Sequence, residues 1–127
     1  MLTFSSKTRV FAYPAPCDMR KSFNTLSGLV AGMGHDVMEG DVFAFVSKNR
    51  KRAKVLYFDG TGLCLLAKRL SEGQFARLWG HGDDVITLSP NELALLIEGC
   101  DVVGRMPLSP APLDVEHARR IRPTDFK

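Results

Sequence analysis

No stretch of this chain approaches the roughly 18 uninterrupted apolar residues that a membrane-spanning helix needs. The first residues, Met1-Leu2-Thr3-Phe4-Ser5-Ser6-Lys7, lack the apolar core of a secretory signal, so a cytoplasmic protein is expected, with no membrane partner. Cysteine is scarce and unpaired. Cys17, Cys64 and Cys100 are odd in number, far apart and without a CxxC pair, which argues against a disulfide framework and for reduced thiols. These cysteines and His35, His81 and His117 offer no ligand pair at short spacing, so no metal and no cofactor are expected. The nucleotide-binding loop G-x-x-x-x-G-K-[ST], the zinc motif H-E-x-x-H and the nucleophile elbow G-x-S-x-G are all missing. Asp59, Asp83, Asp84 and Glu92 are the acids available for two-metal chemistry, but no spacing singles them out. A non-catalytic protein is expected.

What is present is a concentrated charge. The chain has 127 residues, with 17 Lys and Arg against 14 Asp and Glu, a formal net charge of +3. Lys48, Arg50, Lys51, Arg52 and Lys54 fall between positions 48 and 54 with no acid among them; without these five, acids outnumber bases. The positive excess is therefore a local patch, and a phosphate-bearing partner is the first thing it suggests. A solubilising turn and an acidic protein partner are the other readings of the same cluster.

The length suits one domain with a real core. Residues 9–13 read as a first short strand that Pro14 and Pro16 end. Asp18 is placed to cap a helix whose apolar face is Met19, Phe23, Leu26, Val30 and Met33. Residues 41–46 are almost continuously apolar, as in a central strand covered on both faces. A polar cationic turn leads to a second strand over 53–58, and the pair reads as a hairpin with its cations projecting from the tip into solvent. Asp59-Gly60-Thr61-Gly62 is a turn signal before a third strand over 63–67. Short strands are expected over 74–79 and 85–88. Ser89-Pro90-Asn91-Glu92 has the form of a capping box with proline at the first helical position, and Gly99 supplies the stop. The fold class expected is α+β, an antiparallel β-sheet of about four to six strands packed with two main helices. Residues 1–103 form the domain, and residues 104–127, rich in proline, a flexible tail.

The candidate DNA-binding residues are Lys48, Arg50, Lys51, Arg52 and Lys54, with Arg20, Lys21, Lys68 and Arg69 extending the patch where the fold brings them near. Tyr57, Phe58 and Trp79 are candidate interaction residues, for base stacking or a protein contact, though core packing explains aromatics of this kind more often.

Several segments, in order, carry a resemblance. They are Asp18-Met19-Arg20-Lys21-Ser22-Phe23, Gly40-Asp41-Val42-Phe43-Ala44-Phe45, Asn49-Arg50-Lys51-Arg52-Ala53-Lys54-Val55-Leu56, Asp59-Gly60-Thr61-Gly62-Leu63-Cys64-Leu65, Lys68-Arg69-Leu70-Ser71-Glu72-Gly73-Gln74-Phe75, and Leu88-Ser89-Pro90-Asn91-Glu92-Leu93 with the residues up to Gly99. Taken together, from about Val10 to Asp101, the chain resembles the small accessory protein, TnpB or Orf2, of the insertion sequence 66 family of bacterial transposable elements. It departs from the family at Tyr57 or Phe58, where Trp is usual, and at Trp79-Gly80, where Trp-Pro is usual. The resemblance implies a transposition helper encoded beside a separate transposase that supplies the catalytic acids. Expected partners are DNA and that transposase. The alternative is an adaptor that contacts the transposase and never touches DNA.

Overall fold

Residues 42–46, Val-Phe-Ala-Phe-Val, are buried at every position, and the sheet is built around them. The computed structural model describes residues 4–80 and 85–99. The elements are β1 (Val10–Ala12), α1 (Phe23–Gly32), a 3-10 turn (Val37–Glu39), β2 (Val42–Val46), β3 (Arg52–Phe58), β4 (Leu63–Arg69), β5 (Ile86–Leu88) and α2 (Pro90–Glu98). The five strands form one sheet in the order β4-β3-β2-β1-β5. The fold is α+β, with two α-helices among the described residues.

The sheet is mixed rather than wholly antiparallel. β2, β3 and β4 form the expected antiparallel meander, but β1 runs parallel to β2, with Val10 opposite Val42. The sequence places a helix between β1 and β2, and a helical crossover returns the chain in the direction it left. β5 then adds antiparallel to the other side of β1.

Side chains alternate across this sheet and divide the core into two layers. Phe11, Phe43, Phe45 and Leu56 point to the α1 side, where Leu26, Val30 and Val37 meet them. Val10, Ala12, Val42, Ala44, Val46, Ala53 and Val55 point the other way, against Leu93 and Leu96 of α2 and against Phe75 and Leu78. Each fully buried Phe or Leu adds about 1.5–3 kcal/mol to the hydrophobic term.

Three local expectations change. α1 begins at Phe23, with Ser22 in the N-cap position, not near Met19. Asp18 is drawn away: its carboxylate accepts the Arg20 backbone N–H at 2.9 Å and binds the Arg20 guanidinium. Met19 still reaches the α1-side core, but from the loop. Residues 74–79 form no strand. Phe75 and Leu78 are buried anchors three residues apart, and Phe75 N–H makes a single bond to the Arg50 carbonyl at 2.7 Å, not a ladder. β4 runs on to Arg69, two residues beyond the apolar run, because its partner β3 begins at Arg52.

α2 starts as the capping box dictates. Ser89 Oγ accepts Glu92 N–H at 3.0 Å and Glu92 Oε1 accepts Ser89 N–H at 2.7 Å. Gly99 ends it in the left-handed region, φ 74°, where a Cβ would also stand 2.8 Å from Leu70 Cδ2. At the other end of the sheet, Arg9 forks onto buried Asp41 through Nε–Oδ1 at 3.0 Å and Nη2–Oδ2 at 2.8 Å, joining the starts of β1 and β2. Cys17 and Cys64 are free thiols; burial pushes the Cys17 thiol up. Cys100, His81, Asp83, Asp84 and the tail over 104–127 lie outside the described residues.

Candidate nucleic-acid interface

The turn between β2 and β3 is more constrained than a free hairpin tip. Asn49 Oδ1 accepts from Ser47 Oγ and from Lys51 N–H, and Ser47 Oγ accepts Arg52 N–H. Arg50 takes a left-handed φ of 60°, unusual for a residue other than glycine. The loop after β4 then closes over the turn. Leu70 N–H donates to the Lys51 carbonyl, Phe75 N–H to the Arg50 carbonyl, and Gln74 Nε2 to the Asn49 carbonyl.

This closure ties two of the expected tip cations to the loop. The Arg50 guanidinium donates to Gln74 Oε1 at 3.1 Å and the Phe75 carbonyl at 3.4 Å. Lys51 Nζ lies 3.4 Å from the Gly73 carbonyl. Lys68, on the α2 side of β4, donates to the Ile97 carbonyl at 2.8 Å, in the last turn of α2, where a cation suits the exposed carbonyls. Lys54 Nζ donates to the Lys21 carbonyl at 2.7 Å and ties the loop before α1 to β3. The exposed Arg20 is held by Asp18 at 2.7 Å, and the same guanidinium keeps the Asp18 carboxyl well below the usual carboxylate range.

Lys21, Lys48, Arg52 and Arg69 have no side-chain acceptor or carboxylate partner among the described residues. Arg52 and Arg69 stand directly opposite each other on the antiparallel β3–β4 pair, and Lys54 stands opposite Ala67. All four residues belong to the α1 side, since Leu56 and Leu65 of the same pairing register pack there. They line a shallow depression of about 320 Å³ together with Met19, Ala53 and Lys68. A second depression adjoins it, shared through Met19 and Arg52 and extended by Ser47, Lys48 and Asn49. The two make a continuous groove with cationic rims, an apolar floor and no acid in its lining.

The aromatics lie elsewhere. Tyr57 packs edge-on against Phe4 at 5.2 Å on the α2 side. Phe58 is half-buried at the far end of β3, roughly 20 Å along the strand from Arg52 at about 3.3 Å per residue. Trp79 packs half-buried against the α2-side core, on the opposite face from the groove. Sequence reasoning missed Met19 and Ala67 as groove floor, because neither carries charge. It also missed the docking of residues 70–75, which no local pattern encodes.

Among the described residues no group of His, Cys, Asp and Glu is arranged to hold a metal ion, and no helix is long and apolar enough to cross a membrane. No solved structure matches the chain. The family model described as IS66 Orf2 like protein matches residues 8–106. The chain belongs to the IS66 Orf2-like family. Two relatives of this IS66 Orf2-like chain are known from Sinorhizobium fredii. Uncharacterized protein y4jC is 33% identical over 102 residues, covering 80% of this chain and 86% of the relative. Uncharacterized protein y4hO is 32% identical over 103 residues, covering 80% and 88%. Membership in the IS66 Orf2-like family supports a transposition-associated accessory role, and the family is not a known catalytic one.

Proposed function

We propose that this protein is a non-catalytic accessory factor of transposition that binds DNA through the cationic groove beside β3 and β4, and so assists a separate transposase. The observation that carries the reading is the groove itself. Lys21, Lys48, Arg52 and Arg69 have no protein acceptor among the described residues, and the lining contains no carboxylate. Cations so placed neutralise backbone phosphates and release counterions, which gives affinity with little sequence reading.

Fluorescence anisotropy with a labelled duplex, titrated across salt, tests it. Four phosphate contacts predict a log–log slope of about −3 to −4. Absence of binding at low salt would remove the DNA reading.

A second reading is an adaptor that contacts the transposase without touching DNA. Phe23 and Met38, at 42% and 53% exposure, are the large apolar side chains left open to solvent among the described residues, and they favour it. Transposase that co-purifies after nuclease treatment would support the adaptor; a complex lost on nuclease treatment would support the DNA reading.

A further inference from the structure

We infer that Arg52 and Arg69 form a two-arginine seat for a phosphate group, held in the free protein at a cost to the stability of the sheet. This deepens the DNA-binding reading and rests on it for the natural ligand. Like charges directly opposite each other on paired strands repel, and antiparallel partners of this kind are normally of opposite sign or apolar. Here two arginines occupy directly opposite positions of one rung, on the same face of the sheet, with no carboxylate partner among the described residues. Among the described residues, two other exposed arginines are each matched by a carboxylate: Arg9 forks onto Asp41 and Arg20 onto Asp18. The Arg52–Arg69 rung has no such match among the described residues, and it lines the groove.

An anion between the two side chains removes the repulsion. Guanidinium suits a phosphate because its planar fork makes two parallel N–H···O bonds, and the two non-bridging oxygens of a phosphodiester can accept from both forks at once. The floor of Met19 and Ala67 gives the arginine stems an apolar surface to lie on. No aromatic lines the groove, so bases have nothing to stack on there. The ligand class is therefore a phosphodiester backbone, recognised by its phosphates and not by its bases.

Thermal unfolding of the full chain, in chloride and in pyrophosphate at matched ionic strength, tests the seat. The wild type is expected to melt about 5 °C higher in pyrophosphate at concentrations well above its Kd. Arg52→Gln and Arg69→Gln are each expected to melt about 2 °C higher than wild type in chloride, through relief of the repulsion, and to lose the pyrophosphate response. Lys7→Gln, a surface cation that does not line the groove, is expected to keep that response. A wild type indifferent to pyrophosphate, a response that survives in Arg52→Gln and Arg69→Gln, or a lower melting point of both in chloride would each overturn the proposal. Duplex anisotropy on the same samples separates the two failures. Duplex binding without a pyrophosphate response removes the seat and leaves the DNA reading; a pyrophosphate response without duplex binding removes the DNA reading and leaves the seat.

Discussion

Arg50 and Arg52 are two residues apart, carry the same side chain, and do different things. Arg50 sits in the turn, takes a left-handed backbone and folds its guanidinium onto Gln74 and the Phe75 carbonyl. Arg52 opens β3, faces the α1 side and meets only Arg69 across the rung. The same division separates Lys68 from Arg69: Lys68 sends its Nζ to the end of α2, while Arg69, on the other face of β4, has no carboxylate partner among the described residues. A run of cations is thus two populations. One holds the 70–75 loop and α2 to the sheet; the other has no carboxylate partner among the described residues. Composition cannot tell them apart, because strand alternation and loop closure make the assignment.

The strongest way to break the comparison is to neutralise together the three open cations that line the groove. Lys48→Gln, Arg52→Gln and Arg69→Gln combined are expected to weaken duplex binding roughly 100-fold near 0.1 M salt and to flatten the log–log slope by about 3. The fold should be no less stable than wild type. Unchanged anisotropy in this variant would remove the groove from the account.

The closed set should behave in the opposite way. Arg50→Ala loses both guanidinium bonds while the backbone stays left-handed, and is expected to destabilise the fold by about 1–2 kcal/mol in urea. Arg50→Gly loses the same bonds but relaxes the backbone, so its melt should lie nearer wild type. Duplex affinity should move little in either. A large loss of affinity in stably folded Arg50→Ala would merge the two populations.

Lys68→Met tests the same distinction on the other face. It keeps the aliphatic stem and removes the donor to Ile97, with an expected cost of about 1 kcal/mol. Because Lys68 points away from Arg69, duplex affinity should stay within about 2-fold of wild type, the residual effect being long-range charge.

Much of this was legible in the sequence, and the exceptions have physical causes. The capping box at Ser89 and Glu92 and the meander of β2, β3 and β4 are written in local patterns, and the structure follows them. Even the Arg52–Arg69 rung was within reach. The turn over 59–62 fixes the register of its flanking strands, and counting outward from it pairs the two arginines. The parallel β1–β2 pair was less visible, since a crossover direction depends on the helix between the strands. The N-terminus of α1 was misplaced because Asp18 had two uses, capping a helix or holding Arg20, and tertiary context selected the second. The closure of residues 70–75 over the turn was not legible at all. It depends on backbone bonds from Leu70 and Phe75 to residues far away in sequence, which leave no periodicity.

The smallest expected effect is also the finest test, because Asp18 and Arg20 sit between the two populations. Arg20 belongs to the loop that contributes Met19 to the groove floor and the Lys21 carbonyl to Lys54, yet its charge is matched by Asp18. Asp18→Asn frees that guanidinium without altering the groove, and is expected to tighten duplex binding about 2–3-fold and steepen the salt slope by nearly 1. Acidification does not imitate the substitution near neutrality. The folded-state carboxyl is depressed below its unfolded value, so its contribution to stability is present above the unfolded value and lost only as pH falls toward the depressed one. A ratio of Asp18→Asn to wild-type duplex affinity that stays constant from pH 7 to about 5 is the expected pattern, since Asp18 does not titrate in that window. Equal affinity of the two proteins at low salt would place Arg20 outside the groove's reach and confine the open population to Lys21, Lys48, Arg52 and Arg69.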